Sequence, residues 1–444
     1  MSDHDTPKQS KRILGGGFTL AVAVGGTIGL GVLRTPGEIA GTVPNPWIFL
    51  SVWVLGGLFT LLTAIVICEL IAMTPRSGGT YALVRRAYGP FPGFVIGWVD
   101  WLSWVGDIAI KAVVVTEFAT ILIPAVEPWQ TPLAIMVSSV FAALQLRGVA
   151  LGAKIQEIAA AAMALIVVGF TVALLFGKSA VSDAASIPEA TNGLKDWALV
   201  FAAVIYTYDG WSTPAYFTGE IKGGAGAVAR ACIKGLLVVM LLYIFLLAAL
   251  AWKVPLSSLA GEELALASAL EMAVSPLAAK VVLVAAILIL LAHQNLYYMG
   301  TPRVLQALAV DGLAVKRAGE ISEGGNPIFA VLLTWALSVG LIMIGDFGQL
   351  LHLLIFFYLF IYVVLIVGVL ILRSKQPDTD RPYRAWGHPW STYFCLLIWV
   401  LIGLFDAVAE YKAAIYAVLM IAIAWPVYQW LVRPGRTDSE RQDP

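Results

Sequence analysis

The sequence predicts an all-α membrane protein, and three observations predict it. The 444 residues are 60% hydrophobic and only 13% charged, whereas soluble globular chains run nearer half apolar with about a quarter charged. The apolar residues gather into stretches of roughly 20 or more, the length that crosses a bilayer as a helix. The first and sixth stretches are broken by glycine or proline where a lipid-facing helix would run on unbroken. Hydrocarbon tolerates non-helical backbone only where it faces protein, water or a ligand. Breaks in two corresponding segments therefore predict a transporter with a substrate site near the bilayer midplane.

Twelve spans follow along the chain, near 15–40, 47–73, 91–124, 131–149, 153–177, 195–220, 230–252, 279–307, 327–345, 349–373, 391–409 and 412–432. The first twelve residues are polar and lead into an apolar segment too long for a signal-peptide core, so the N-terminus is expected to be retained. Twenty-one of the Lys and Arg residues crowd one set of loops and tails, among them Lys8, Arg76, Arg85, Arg86, Arg147, Lys222, Arg303, Arg381 and Arg436. The alternate loops hold only five, Lys178, Lys195, Lys253, Lys280 and Lys412. By the positive-inside rule both termini lie in the cytoplasm, in a multi-pass protein of the inner (cytoplasmic) membrane.

The two breaks lie about 180 residues apart, at the start of two successive five-helix blocks, 15–177 and 195–373. An odd-numbered block enters the membrane the opposite way round from its twin, which is the inverted-repeat plan of secondary transporters. Residues 1–14 and 433–444 are tails. The unbroken pair of helices 391–432 reads as packing or homodimer surface. The amphipathic run Glu262–Val274 is long enough for an external lid helix.

Zero net charge, with no basic cluster interleaved with aromatics, argues against nucleic acid. Cys68, Cys232 and Cys395 have no metal-ligand spacing and read as buried thiols. Of the four histidines, His4, His293, His352 and His388, the first and last lie in a tail and a loop, so no metal cluster is expected. A membrane enzyme would need a nucleophile with its base, and a channel a continuous polar stripe; neither is present. No cofactor is implied.

The first break reads Gly25-Gly26-Thr27-Ile28-Gly29-Leu30-Gly31, and each glycine costs about 1 kcal/mol relative to alanine in a helix interior. Gly25 and Gly29, four apart, also suit a close helix–helix contact. An unwound joint accounts for more: amides freed at the positive end of a half-helix beginning near Leu30 bind a carboxylate. Carbonyls freed on the other side accept from an ammonium, and a ligand with both groups on one carbon is an amino acid. In the second break Gly210 and Pro214 interrupt the helix, with Tyr206, Tyr208 and Trp211 as bulk to close over a ligand. Asp209 between them is a carboxylate at membrane depth, which faces a cavity or a partner.

Gly25 to Gly37 resembles the first-helix signature of permeases in the amino acid/polyamine/organocation superfamily. Further stretches match in order: Glu69 with Pro75 to Tyr81 and Arg86 to Gly89, Tyr208 to Trp211 with Gly219 to Lys222, Pro302 to Leu313, and Leu372 to Tyr383. The Asp209-Gly210-Trp211 form is similar to the light-subunit L-amino acid transporter branch. The resemblance implies a LeuT-type fold, with an amino acid held between the broken helices 1 and 6 and helices 3 and 8. Carried over by position, the carboxylate meets amides at Leu30 and Gly31, the ammonium meets carbonyls near Gly26 and Asp209, and Thr27 and Ile28 line the turn. Tyr206 falls on the gating aromatic and Tyr297 on the eighth-helix position facing substrate. Glu220, in the sixth-helix motif, is a further coupling or gating candidate.

The chain departs from that pattern at Met163, where relatives often carry a fifth-helix lysine. His293, one turn before Tyr297, and Lys111 in the third helix are the candidate replacements; a lone histidine is more often a hydrogen-bonded core residue, although one titrating near neutrality would suit proton coupling. Asp107 and Lys111 are four apart and can pair on one helix face. Asp107 falls on a position that touches substrate in arginine and agmatine exchangers, so an unpaired Asp107 implies a cationic substrate and a neutralised one implies neutral or acidic side chains. Arg34 and Glu38 form a second four-spaced pair, structural or gating. The expected function is a secondary amino-acid transporter, an exchanger or proton symporter; a polyamine or cationic amino-acid antiporter and a non-transporting sensor are the alternatives.

Overall fold

The computed structural model describes residues 12–180, 193–345, 347–409 and 411–431. The tails predicted as cytoplasmic, with His4, Lys8 and Arg436, lie outside those residues apart from Arg12–Leu14. The described chain is helical throughout, with one isolated bridge between Leu14 and Ile221. Nine helices among the described residues are long and apolar enough to cross a membrane.

The first span is two helices, α1 (Gly16–Thr27) and α2 (Gly31–Ala40), separated by Ile28, Gly29 and Leu30. The Ile28 amide makes the last bond of α1, to Val24 O, and the backbone then turns extended at Ile28 (ψ 94). α3 (Pro46–Ala72) starts on an Asn45 side chain that accepts from the amides of Trp47 and Ile48, with proline at the first helical position, where its missing N–H costs nothing. A short α4 (Gly79–Tyr88) leads into the 33-residue α5 (Pro90–Leu122). Then come α6 (Gln130–Leu146) and α7 (Val149–Phe176).

The stretch expected from sequence to be the sixth span is likewise divided. α8 (Leu194–Thr207) ends in a turn at Tyr208–Ser212, and Pro214 opens a 3-10 segment, Thr213–Glu220. α9 (Gly224–Lys253) and α10 (Ala265–Ala273) follow, the latter inside the run expected to form a lid; it packs against α2 and α11 (Pro276–Val310). α12 (Ile328–Ile344), α13 (Phe347–Lys375), α14 (Trp390–Ala409) and α15 (Tyr411–Leu431) complete the chain.

α1 lies against α7 and α9, and α5 packs along α11, so the two breaks are enclosed by long helices. They meet backbone to backbone: a Cβ on Gly26 would lie 2.8 Å from Gly210 O, and one on Gly210 2.1 Å from Gly26 O. Gly210 also has φ +99, a region closed to most side chains. Glycine at both positions is what lets the joints touch. Leu14, assigned to the tail by sequence, is buried and exchanges main-chain bonds with Glu220 O (3.0 Å) and the Lys222 amide (2.8 Å). All three cysteines are free and buried.

Candidate functional site

The end of α1 is braced by side chains. Gly25 O accepts from His293 Nε2 at 3.0 Å, which assigns that ring proton to Nε2, and Thr27 O accepts from the Tyr243 hydroxyl at 3.0 Å. Across the gap, α2 begins with no side-chain cap, so its leading amides, from Leu30 and Gly31 onward, present the positive end of a helix dipole. Thr207 secures this half-helix to α8: a Cβ on Gly31 would sit 3.0 Å from its Oγ1, which donates to Thr35 Oγ1 at 3.0 Å.

The second joint divides its aromatics. Tyr206 is 43% exposed and meets Tyr358 of α13 edge-on at 5.6 Å, whereas Tyr208 is fully buried against Trp53 and Tyr243. Trp211 is also buried, beside Tyr362. The Asp209 carboxylate accepts from the Tyr362 hydroxyl at 2.5 Å. Of the aromatics singled out by sequence, Tyr206 is therefore the exposed one.

A third wall comes from α5 and α11. Lys111 Nζ pairs with Asp107 at 2.5 Å and sits 4.7 Å above the Tyr297 ring. Tyr297 stacks on His293 at 5.6 Å and touches Trp104 at 4.5 Å. His293 closes the path back to the first break, with Cε1 3.3 Å from where a Gly29 Cβ would stand. On the other side of Gly25 lies Met163, its Cε 3.4 Å from a Cβ there. Met163 and His293 thus flank one glycine.

The remaining candidates lie elsewhere. Arg34 and Glu38 pair at 2.9 Å with both side chains about half exposed (51% and 49%). Glu220, at the far end of the 3-10 segment, holds Arg303 with two bonds of 2.6 and 2.8 Å, both groups buried, while the guanidinium covers the Phe217 ring.

The stretches matched by sequence motif join in space. Glu69 takes Arg373 (2.7 Å), Arg381 (3.0 Å) and the Ala385 amide (2.7 Å). Asp311 takes Arg76 and Tyr81, each at 2.6 Å, and Arg85. Burial, and then the Asp311 carboxylate, push the Tyr81 hydroxyl well above its usual range, so it stays a donor. Sequence reasoning passed over Asp100, a buried acid on α5, and Tyr362. For Asp100 the signal was present: it is a carboxylate inside an apolar run, as Asp107 is.

Residues 16–425 match a family model described as amino acid permease. The serine/threonine exchanger SteT of Bacillus subtilis (strain 168) is 25% identical over 389 residues, covering 86% of this chain and 87% of that protein. The b(0,+)-type amino acid transporter 1 of Mus musculus is 24% identical, over 87% of this chain and 80% of its own. The D-serine/D-alanine/glycine transporter of Escherichia coli (strain K12) is 23% identical, over 80% and 79%.

Proposed function

This chain belongs to the amino acid permease family, and from that membership we propose a secondary active transporter that carries amino acids across the cytoplasmic membrane by alternating access. It is an integral membrane protein. The observation that carries the reading is the contact between the two helix breaks at Gly26 and Gly210, which gathers helix-end amides and carbonyls at one place inside the bundle. The substrate carboxylate binds the amides of Leu30 and Gly31. Its ammonium binds carbonyls near Gly26 and Asp209, Thr27 and Ile28 line the turn, Tyr206 closes the open side, and Tyr297 faces the side chain.

The paired Asp107 supports a neutral substrate over a cationic one, because Lys111 takes up its charge at 2.5 Å. The names of the Bacillus and Escherichia relatives, a serine/threonine exchanger and a D-serine/D-alanine/glycine transporter, support small neutral side chains. For the architecture, Pro90–Leu122 and the shorter apolar helices Asp196–Thr207 and Ile328–Ile344 supplement the nine longer spans to give twelve. They fall into inverted five-helix sets, 15–177 and 195–373, with 391–432 as an added pair, a dimer surface, and both termini cytoplasmic.

The test is uptake of labelled amino acids by the purified protein in liposomes, empty or preloaded with unlabelled amino acid. Uptake only into loaded vesicles identifies an exchanger, and uptake into empty ones under a proton gradient a symporter. No uptake under either condition ends the proposal.

A further inference from the structure

Among the fully buried carboxylates of the described residues, Glu69 and Glu220 are held by arginines, whereas Asp100 is held by neutral donors. Its oxygens accept from Thr80 Oγ1 at 2.5 Å, from the Tyr216 hydroxyl at 2.8 and 2.9 Å, and from Trp104 Nε1 at 3.2 Å. A carboxylate so deep in an apolar bundle is costly unless a cation or a proton neutralises it. No cation forms an ion pair with it among the described residues.

The three donors sit on three elements. Thr80 is on α4, Trp104 on α5 itself, and Tyr216 on the 3-10 segment that forms the second half of the broken sixth span. The Tyr216 ring lies against the Gly79 backbone, where a Cβ would come within 2.2 Å of it, and Gly219 N donates to Ser77 Oγ at 3.0 Å. Asp100 therefore clamps the divided segment to α4 and α5. When ionised it accepts all three bonds. When protonated, its own O–H is given to the Thr80 or Tyr216 oxygen, so that bond reverses direction and the displaced hydroxyl proton must turn to another acceptor, which changes the strength of the clamp. A proton on this carboxylate and the position of the segment are thus linked quantities.

The surrounding titratable groups are already engaged. Tyr81 of α4 is bound to Asp311, Arg303 of α11 to Glu220 and Asp107 to Lys111; Asp209, less buried than Asp100, also accepts from a neutral donor, Tyr362, and Tyr297 touches Trp104, which donates to Asp100. His293 donates Nε2–H to Gly25 O and lies beside the Lys111–Tyr297 pair. We propose that Asp100 is the proton-binding site through which transport is coupled to the transmembrane proton gradient. The inference rests on the transporter reading above.

Liposomes holding the wild type, Asp100→Asn or His293→Gln are given a labelled mixture of the twenty amino acids, with counterflow and an imposed pH gradient measured on the same vesicles. Wild-type accumulation should rise with the gradient, up to about tenfold per pH unit for one proton per substrate. Counterflow that continues in Asp100→Asn without responding to the gradient is the expected result. A second readout needs no functional variant: pH-difference infrared spectra of the wild type should contain the carbonyl stretch of a buried carboxylic acid, and a folded Asp100→Asn should lack it. Wild-type counterflow without a gradient response, a response that survives Asp100→Asn, loss of it only in His293→Gln, or absence of the infrared band each overturns the inference. Absence of wild-type counterflow overturns the transporter reading instead.

Discussion

Gly29 has its α-carbon facing His293, with room for a Cβ 3.3 Å from the ring edge. One added methyl fits with a small shift, whereas a branched side chain fills the gap between α1 and α2. Gly29→Val is expected to abolish substrate-induced thermal stabilisation and uptake while expression stays near wild type, with Gly29→Ala intermediate. Lys111→Met leaves Asp107 without its cation, so lysine should gain on serine as a competitor of uptake by about tenfold, or ~1.4 kcal/mol. His388, beyond the spans, is held below its ordinary value of 6.5 by burial and then by Arg373. A depressed histidine favours the neutral form in the fold, so its stabilisation is full above that value and is lost as the pH falls from there through the lower value in the folded protein. The thermal midpoint should drop on acidification from pH 7 to 5.5, and less steeply in His388→Gln. At this scale the sequence told charge pairs apart well, because Asp107 and Lys111, like Arg34 and Glu38, meet at helical spacing. It did not foresee Asp100, whose partners come from two other elements, nor that Tyr206 and Tyr208 point to different surroundings.

The interrupted helices were legible because glycine and proline are costly inside a helix and nothing else compensates for four glycines in one turn-rich run. Their detail was not. Unwinding in the first span covers only Ile28–Leu30, later than the glycine cluster begins, since Gly25 and Gly26 remain helical and serve close packing instead. The second broken stretch resumes as a 3-10 segment, and the chemistry of Thr213-Pro214 does not specify that over an α-turn. Gly210→Ala should therefore damage more than the local turn. It forces a side chain into φ +99 and drives a methyl into Gly26 O, so a loss exceeding about 1 kcal/mol in thermal or denaturant unfolding is expected.

Across the molecule, residues far apart in the chain converge into charged knots beyond the joints: Glu69 with Arg373 and Arg381, Asp311 with Arg76 and Arg85, and Glu220 with Arg303. Hydropathy found the nine long apolar helices among the described residues, and the ordered motifs found the ends of these knots. Which end meets which depends on three-dimensional closure that no local pattern encodes. Removing one member of the buried Glu220–Arg303 pair leaves an uncompensated charge, so Glu220→Leu should cost about 3–5 kcal/mol, and the double variant Glu220→Leu/Arg303→Met less than that. A double-mutant cycle on thermal stability in detergent checks this.

The three native thiols, Cys68, Cys232 and Cys395, are each fully enclosed. The unaltered protein is thus a silent background for maleimide chemistry: a reporter cysteine placed at an exposed position such as Trp47 or Trp386 would carry the whole label. Opening and closing of the two joints can then be followed by fluorescence without first stripping sulfur from the core.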